Sequence, residues 1–138
     1  MLNLPPLLPR IIPCLLLHDE IFVKTNKFNN PIYIGDPLNT INLFNKFEVD
    51  EIVILDIGCP RKKASPNFSL IEELANECWV PLAYGGGIRS ASDAKKILNL
   101  GIEKIIVDRL LFSNPDEVRK CVSEFGSSSV VACINVKK

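Results

Sequence analysis

Apolar residues gather in five short runs, at 11–17, 51–57, 80–84, 103–107 and 130–134, with little strict alternation of polar and apolar positions inside them. A strand exposed on one face alternates, whereas a strand covered on both faces does not, so these runs predict buried parallel strands. Between them the spacing becomes helical. Asp36-Pro37 supplies an N-cap and a first-turn proline ahead of Leu38, Ile41, Phe44 and Phe47 on one face. Asn67 stands before Ile71, Leu74, Ala75 and Cys78. Ser90 and Asp93 make a capping pair before Ala94, Ile97 and Leu98, and Gly101 is placed to end that helix. Asn114-Pro115 with Glu117 repeats the device before Val118, Cys121, Val122 and Phe125, and Gly126 closes it. The pattern predicts about five strands alternating with four helices in an α/β fold.

Strand starts recur every ~25–40 residues, a rhythm shared by open doubly wound sheets and (β/α)8 barrels. A complete barrel needs about 250 residues. This chain has 138 and stops just after its fifth run, so the residues alone leave an open sheet and a little over half a barrel as alternatives. A composition that is 47% hydrophobic suits one domain over 1–138, with 1–10 as an N-terminal extension. Pro5, Pro6, Pro9 and Pro13 interrupt the apolar start, which disfavours a signal helix or a membrane span and favours extended chain entering a buried strand.

Lys plus Arg and Asp plus Glu number 16 each, so no global field draws the chain to nucleic acid or to an anionic membrane. Local basic clusters remain open to anionic small molecules. The five cysteines lack a CxxC pair or a nearby histidine, so neither a zinc site nor a disulfide framework is expected, and a reducing cytoplasm is the predicted location.

Gly85, Gly86 and Gly87 lie between a predicted strand and a capped helix. Backbone N–H groups there can cradle a phosphate, and a tight structural turn explains the same glycines. The spacing is neither GxGxxG nor GxxxxGK[ST], so no nucleotide fingerprint is present and no cofactor or metal is expected. Arg61-Lys62-Lys63 reads as a solvated loop with anion recruitment as the alternative, and it lacks the interleaved aromatics of a nucleic-acid surface. His18 beside Asp19 has neither a nucleophile nor a third partner nearby, which argues against a catalytic role.

RIIPCL at 10–15, Val23-Lys24, GDP at 35–37, ILDI at 54–57, PLAYGGGI at 81–88 and FGSSSVVACINVKK at 125–138 together resemble the cyclase subunit of imidazole glycerol phosphate synthase. The leucines at 15–17, FNNPIYIGDP and the AYGGG form are more similar to its paralogues in surface-polysaccharide gene clusters, which are linked to amidation of acetamido sugars. The resemblance covers 10–138 and implies the N-terminal part of a (β/α)8 TIM barrel. It implies a lyase-type reaction of histidine biosynthesis, in which ammonia from a glutaminase subunit attacks a phosphorylated aminoimidazole precursor that is cleaved and cyclised.

The catalytic aspartates that the resemblance implies fall at Leu16 and Asn135, where a leucine cannot take a proton and an amide can orient but not act as a carboxylate base. Asn135 is thus only a weak catalytic candidate. By the same resemblance Lys24 belongs to the long loop that positions substrate, Gly87 contacts phosphate, and Asp56 lies at the active face, a structural hydrogen bond being its alternative. Asp108-Arg109 replaces small polar residues that help hold phosphate; Arg109 can bind an anion through its fork or pair with Asp108. Arg10, Glu51 and Lys104 match members of a charged ring at the opposite mouth, where glutaminase docks and ammonia enters, and Glu103 matches an interface aspartate. The expectation is a truncated homologue of the cyclase subunit. Its alternatives are a sugar-amidation subunit, a noncatalytic half-barrel assembly protein and a gene fragment. Implied partners are the glutaminase, a C-terminal half-barrel or a second copy, and a phosphorylated or nucleotide-linked small molecule.

Overall fold

The computed structural model describes residues 6–136. The chain enters through β1 (Cys14–His18), turns back through the hairpin β2 (Ile21–Asn26) and β3 (Asn29–Gly35), and continues as α1 (Pro37–Lys46) and β4 (Ile52–Asp56). Then follow α2 (Gly58–Lys62), α3 (Phe68–Glu77), β5 (Leu82–Gly85), α4 (Ala91–Asn99) and β6 (Lys104–Val107). The last described elements are α5 (Arg109–Ser113), α6 (Pro115–Phe125), a 3-10 turn (Ser127–Ser129) and β7 (Val130–Ala132). The sheet order is β3-β2-β1-β4-β5-β6-β7. From β1 onward neighbours pair in parallel, whereas β1–β2 and β2–β3 are antiparallel.

All five apolar runs thus become parallel strands in sequential order, and the two-residue period of each strand separates two faces. Leu15, Leu17, Ile52, Ile54, Leu82, Tyr84, Ile105 and Val107 point into the core. There they meet Ile41, Ile71, Leu74, Ala94, Ile97 and Cys121 from the helix layer. Burying each such aliphatic side chain contributes about 1.5–3 kcal/mol. On the other face Leu16, Leu55, Gly85 and Ile106 line the concave side of the sheet. Asn45, buried inside α1, donates through Nδ2 to the Glu77 carbonyl (2.9 Å) and accepts from the Trp79 N–H (3.1 Å). This polar pin locks α1 to the end of α3, and periodicity alone did not single it out.

Three helix caps take the predicted form: Asp36 accepts from the Asn39 N–H, Asn67 from Leu70 and Ser90 from Asp93. Asn114 does not cap α6 with its side chain, because it also ends α5 and its backbone is set by that junction. Its expected partner Glu117 instead accepts from the Ala91 N–H at 2.8 Å, filling the first turn of α4. Phe47, expected on the inner face of α1, is the C-cap residue and is exposed.

Other boundaries also differ. Regular pairing begins at Cys14 rather than residue 11, since Pro13 has no N–H to donate; its carbonyl accepts from Val53, and Ile11 is tied instead to Asp50. The last strand ends at Ala132, and the hairpin and the two short helices α2 and α5 raise the count to seven strands and six helices among the described residues. Arg61-Lys62-Lys63 is solvent-exposed as expected, but its first two residues are helical rather than loop. Arg61 and Lys62 end α2, with Arg61 donating to the Phe28 carbonyl at 2.6 Å and Lys62 paired to Asp19 at 2.6 Å. Residues 6–10 of the proposed extension carry no regular structure, and residues 1–5 lie outside the described residues.

Candidate functional site

The C-terminal ends of the parallel strands enclose a trough of about 810 Å3. Leu16 reaches it from β1, Asp56 from β4, Gly85 from β5 and Val107 from β6, while Cys133 and Asn135 follow β7. Arg61, Lys63, Arg89 and Arg109 outnumber the two carboxylates on its wall, Asp56 and Asp108, so the wall carries an excess of positive charge.

Asp56 has a structural task. One carboxylate oxygen accepts the N–H groups of Gly58 and Cys59, each at 2.9 Å, and starts α2; the other accepts the Tyr84 hydroxyl at 3.3 Å. Burial, followed by the nearby Asp56 charge, pushes the Tyr84 hydroxyl far above its ordinary range, so it stays protonated and donating. The same desolvation raises the Cys59 thiol, whose Sγ donates to the Ala64 carbonyl at 3.0 Å. Cys59 is therefore an inert packing residue rather than a nucleophile.

The glycines are demanded by close approach. Gly86 has φ +124°, and a Cβ there would lie 2.8 Å from the Asp56 Cβ and nearer still to the Asp56 carbonyl oxygen. At Gly87, φ +71°, a Cβ would overlap the Cys59 sulfur. All three glycines also line the trough, and these close contacts account for them as a tight structural turn. The first turn of α4, however, is already occupied. Ser90 Oγ holds the Asp93 N–H, Glu117 holds that of Ala91, and Asp93 accepts from Arg89 at 3.1 Å. Three of the N–H groups that an anion would need are thus committed within the chain.

Asp108 and Arg109 do not pair. Asn135 Nδ2 donates to Asp108 Oδ2 at 2.8 Å, and the Arg109 side chain makes no hydrogen bond or ion pair among the described residues. Arg89 differs, since its guanidinium donates to the carbonyls of Lys63 and Ala64. Lys24 is exposed on β2 opposite Ile32, and the hairpin residues on the trough wall are Thr25 and Phe28. His18 lies 3.5 Å from Asp19, outside the trough wall.

At the other end of the sheet, Glu51 is buried immediately before β4. Lys104, opening β6, donates to both its carboxylate oxygens at 3.1 and 3.2 Å, and Arg10 reaches Oε2 at 3.2 Å. Glu103 is exposed beside this cluster, its N–H bound to the Leu82 carbonyl. No helix among the described residues is long and apolar enough to cross a membrane.

Sequential parallel strands, a cationic trough at their C-terminal ends and a charged cluster at the opposite end define the N-terminal part of a (β/α)8 barrel. Residues 10–138 match the model of the family described as histidine biosynthesis protein, and the chain belongs to that family. It is 51% identical over 130 residues to a Leptospira borgpetersenii protein named "Putative imidazole glycerol phosphate synthase subunit HisF", covering 94% of this chain and 51% of that one. A Pseudomonas aeruginosa protein named "Putative imidazole glycerol phosphate synthase subunit hisF2" is 46% identical, with 94% of this chain and 51% of the relative covered. The Streptococcus mutans "Imidazole glycerol phosphate synthase subunit HisF" is 34% identical over 94% of this chain and 51% of its own. The chain spans about half the length of the curated relatives it matches.

Proposed function

We propose that the chain supplies the N-terminal half of an ammonia-using synthase barrel, binding a phosphorylated or nucleotide-linked small molecule in the trough and receiving ammonia from a glutaminase at the opposite mouth. The observation that carries this reading is the polarity of the sheet. Glu51 with Arg10 and Lys104 forms a bonded charged cluster at one end, and the cation-rich trough opens at the other. The names of the relatives supply the reaction type.

Cyclisation itself fits poorly, because Leu16 brings no proton-transfer group to the trough and Asn135 is an amide engaged with Asp108. Leu16 alone fits a sugar-amidation subunit acting on an anionic substrate, whereas Asn135 departs from that pattern as well. The edges of the sheet also support a second half as partner: β3 and β7 are its outer strands, and Tyr33 and Val131 are exposed on them. A C-terminal half-barrel or a second copy would cover them.

The test uses the chain completed by the C-terminal half of the Leptospira relative, with binding of the synthase's glutaminase subunit followed by surface plasmon resonance. Reversing the charge of exposed Glu103 (Glu103→Lys) is expected to weaken docking about tenfold or more, mainly through the association rate, with the melting temperature unchanged. Docking that is indifferent to this reversal would remove the mouth from the proposed interface.

A further inference from the structure

The trough wall carries two carboxylates in unlike states. Asp56 spends both oxygens on Gly58, Cys59 and Tyr84. Asp108 receives one hydrogen bond, from Asn135 to Oδ2, and its Oδ1 has no partner among the described residues. Beside it in sequence, Arg109 also lines the trough without a partner among the described residues, and the two do not neutralise each other. A fixed acceptor therefore stands next to an uncommitted guanidinium.

We propose that Asp108, held in place by Asn135, makes the trough select phosphorylated small molecules that also carry an amine or another N–H donor. This inference rests on the reading of the trough as the substrate site. A bare phosphate ester that reaches Arg109 brings its negative charge toward Asp108 and is repelled; an ester with a nearby ammonium or amide N–H turns that repulsion into a charge-assisted hydrogen bond. Asn135 acts as a positioning residue. Its amide contributes no charge of its own, so it holds the carboxylate without cancelling it.

Isothermal titration calorimetry of the full chain with glucosamine 6-phosphate, 2-deoxyglucose 6-phosphate and inorganic phosphate separates the possibilities. The amine-bearing ester is expected to bind about tenfold or more tighter than the deoxy ester, the range of one charge-assisted hydrogen bond. Asp108→Asn abolishes that preference while binding inorganic phosphate at least as well as the unaltered chain, which also shows that the variant is folded. Asn135→Leu narrows the preference, and Arg109→Met weakens both esters alike. Equal affinity for the two esters, or a preference that survives Asp108→Asn, overturns the role of Asp108 even if phosphate binds through Arg109. If no phosphate species binds, or if Arg109→Met changes nothing, the reading of the trough fails and the inference fails with it.

Discussion

Gly86→Ala is expected to destabilise the chain by about 3–5 kcal/mol, at the upper end of single-substitution effects. Two terms act in the same direction. The backbone there has φ +124°, a region essentially reserved for glycine that costs an L side chain about 1–3 kcal/mol. The added Cβ would meet the Asp56 backbone and Cβ, which have no rotamer to change, so the end of β4 must shift. Alanine recovers about 0.4–1 kcal/mol by restricting the unfolded chain, too little to offset both. The shift would also pull Asp56 away from Gly58, Cys59 and Tyr84 and loosen the floor of the trough. Urea unfolding of both proteins measures this; a loss below about 1 kcal/mol would mean that the close approach is not rigid.

The second large effect is at the opposite mouth. Lys104→Met leaves the buried Glu51 carboxylate with Arg10 as its remaining partner, and Arg10 is itself more than half exposed. Breaking a fully buried pair by removing one partner costs about 3–5 kcal/mol, and solvent access at Lys104 lowers the expected loss to about 2–3 kcal/mol. Combining it with Glu51→Leu removes the stranded charge, so the double variant is expected to be more stable than Lys104→Met alone. Additive losses in the double-mutant cycle would show that the two residues do not act as a unit.

Much of this architecture is legible in the chain because burial on both faces leaves a local trace. The five runs without alternation mark the parallel strands, and Asp36, Asn67 and Ser90 announce three helices by cap chemistry that depends on residues three positions apart. The hairpin is not visible in the same way. Every residue of β3 before Gly35 is exposed, and its turn uses Lys27 and Phe28 at positive φ instead of an Asn-Gly or Asp-Gly pair.

The site is legible only as a list of positions. Tyr84 with Asp56 and Asn135 with Asp108 are bonds between residues 28 and 27 apart, and Lys104 with Glu51 spans 53. No periodicity encodes such pairs, since the order of strands in the sheet creates them. Resemblance to the synthase family places Asp56, Asp108 and Arg109 near the strand ends. It does not reveal that Asp56 is fully engaged while Asp108 keeps an open oxygen, nor that Glu117, paired to Lys120 in its own helix, also reaches the start of α4.

The most direct test of the central claim, an anion site at the C-terminal strand ends kept apart from the charged mouth, is a titration of the 15N-labelled chain with inorganic phosphate followed by backbone amide shifts. Saturable shifts are expected at Gly86, Gly87, Asp108 and Arg109, and none at Arg10, Glu51 or Lys104. Shifts centred on the Glu51 cluster, or none at the trough while phosphate saturates elsewhere, would contradict it.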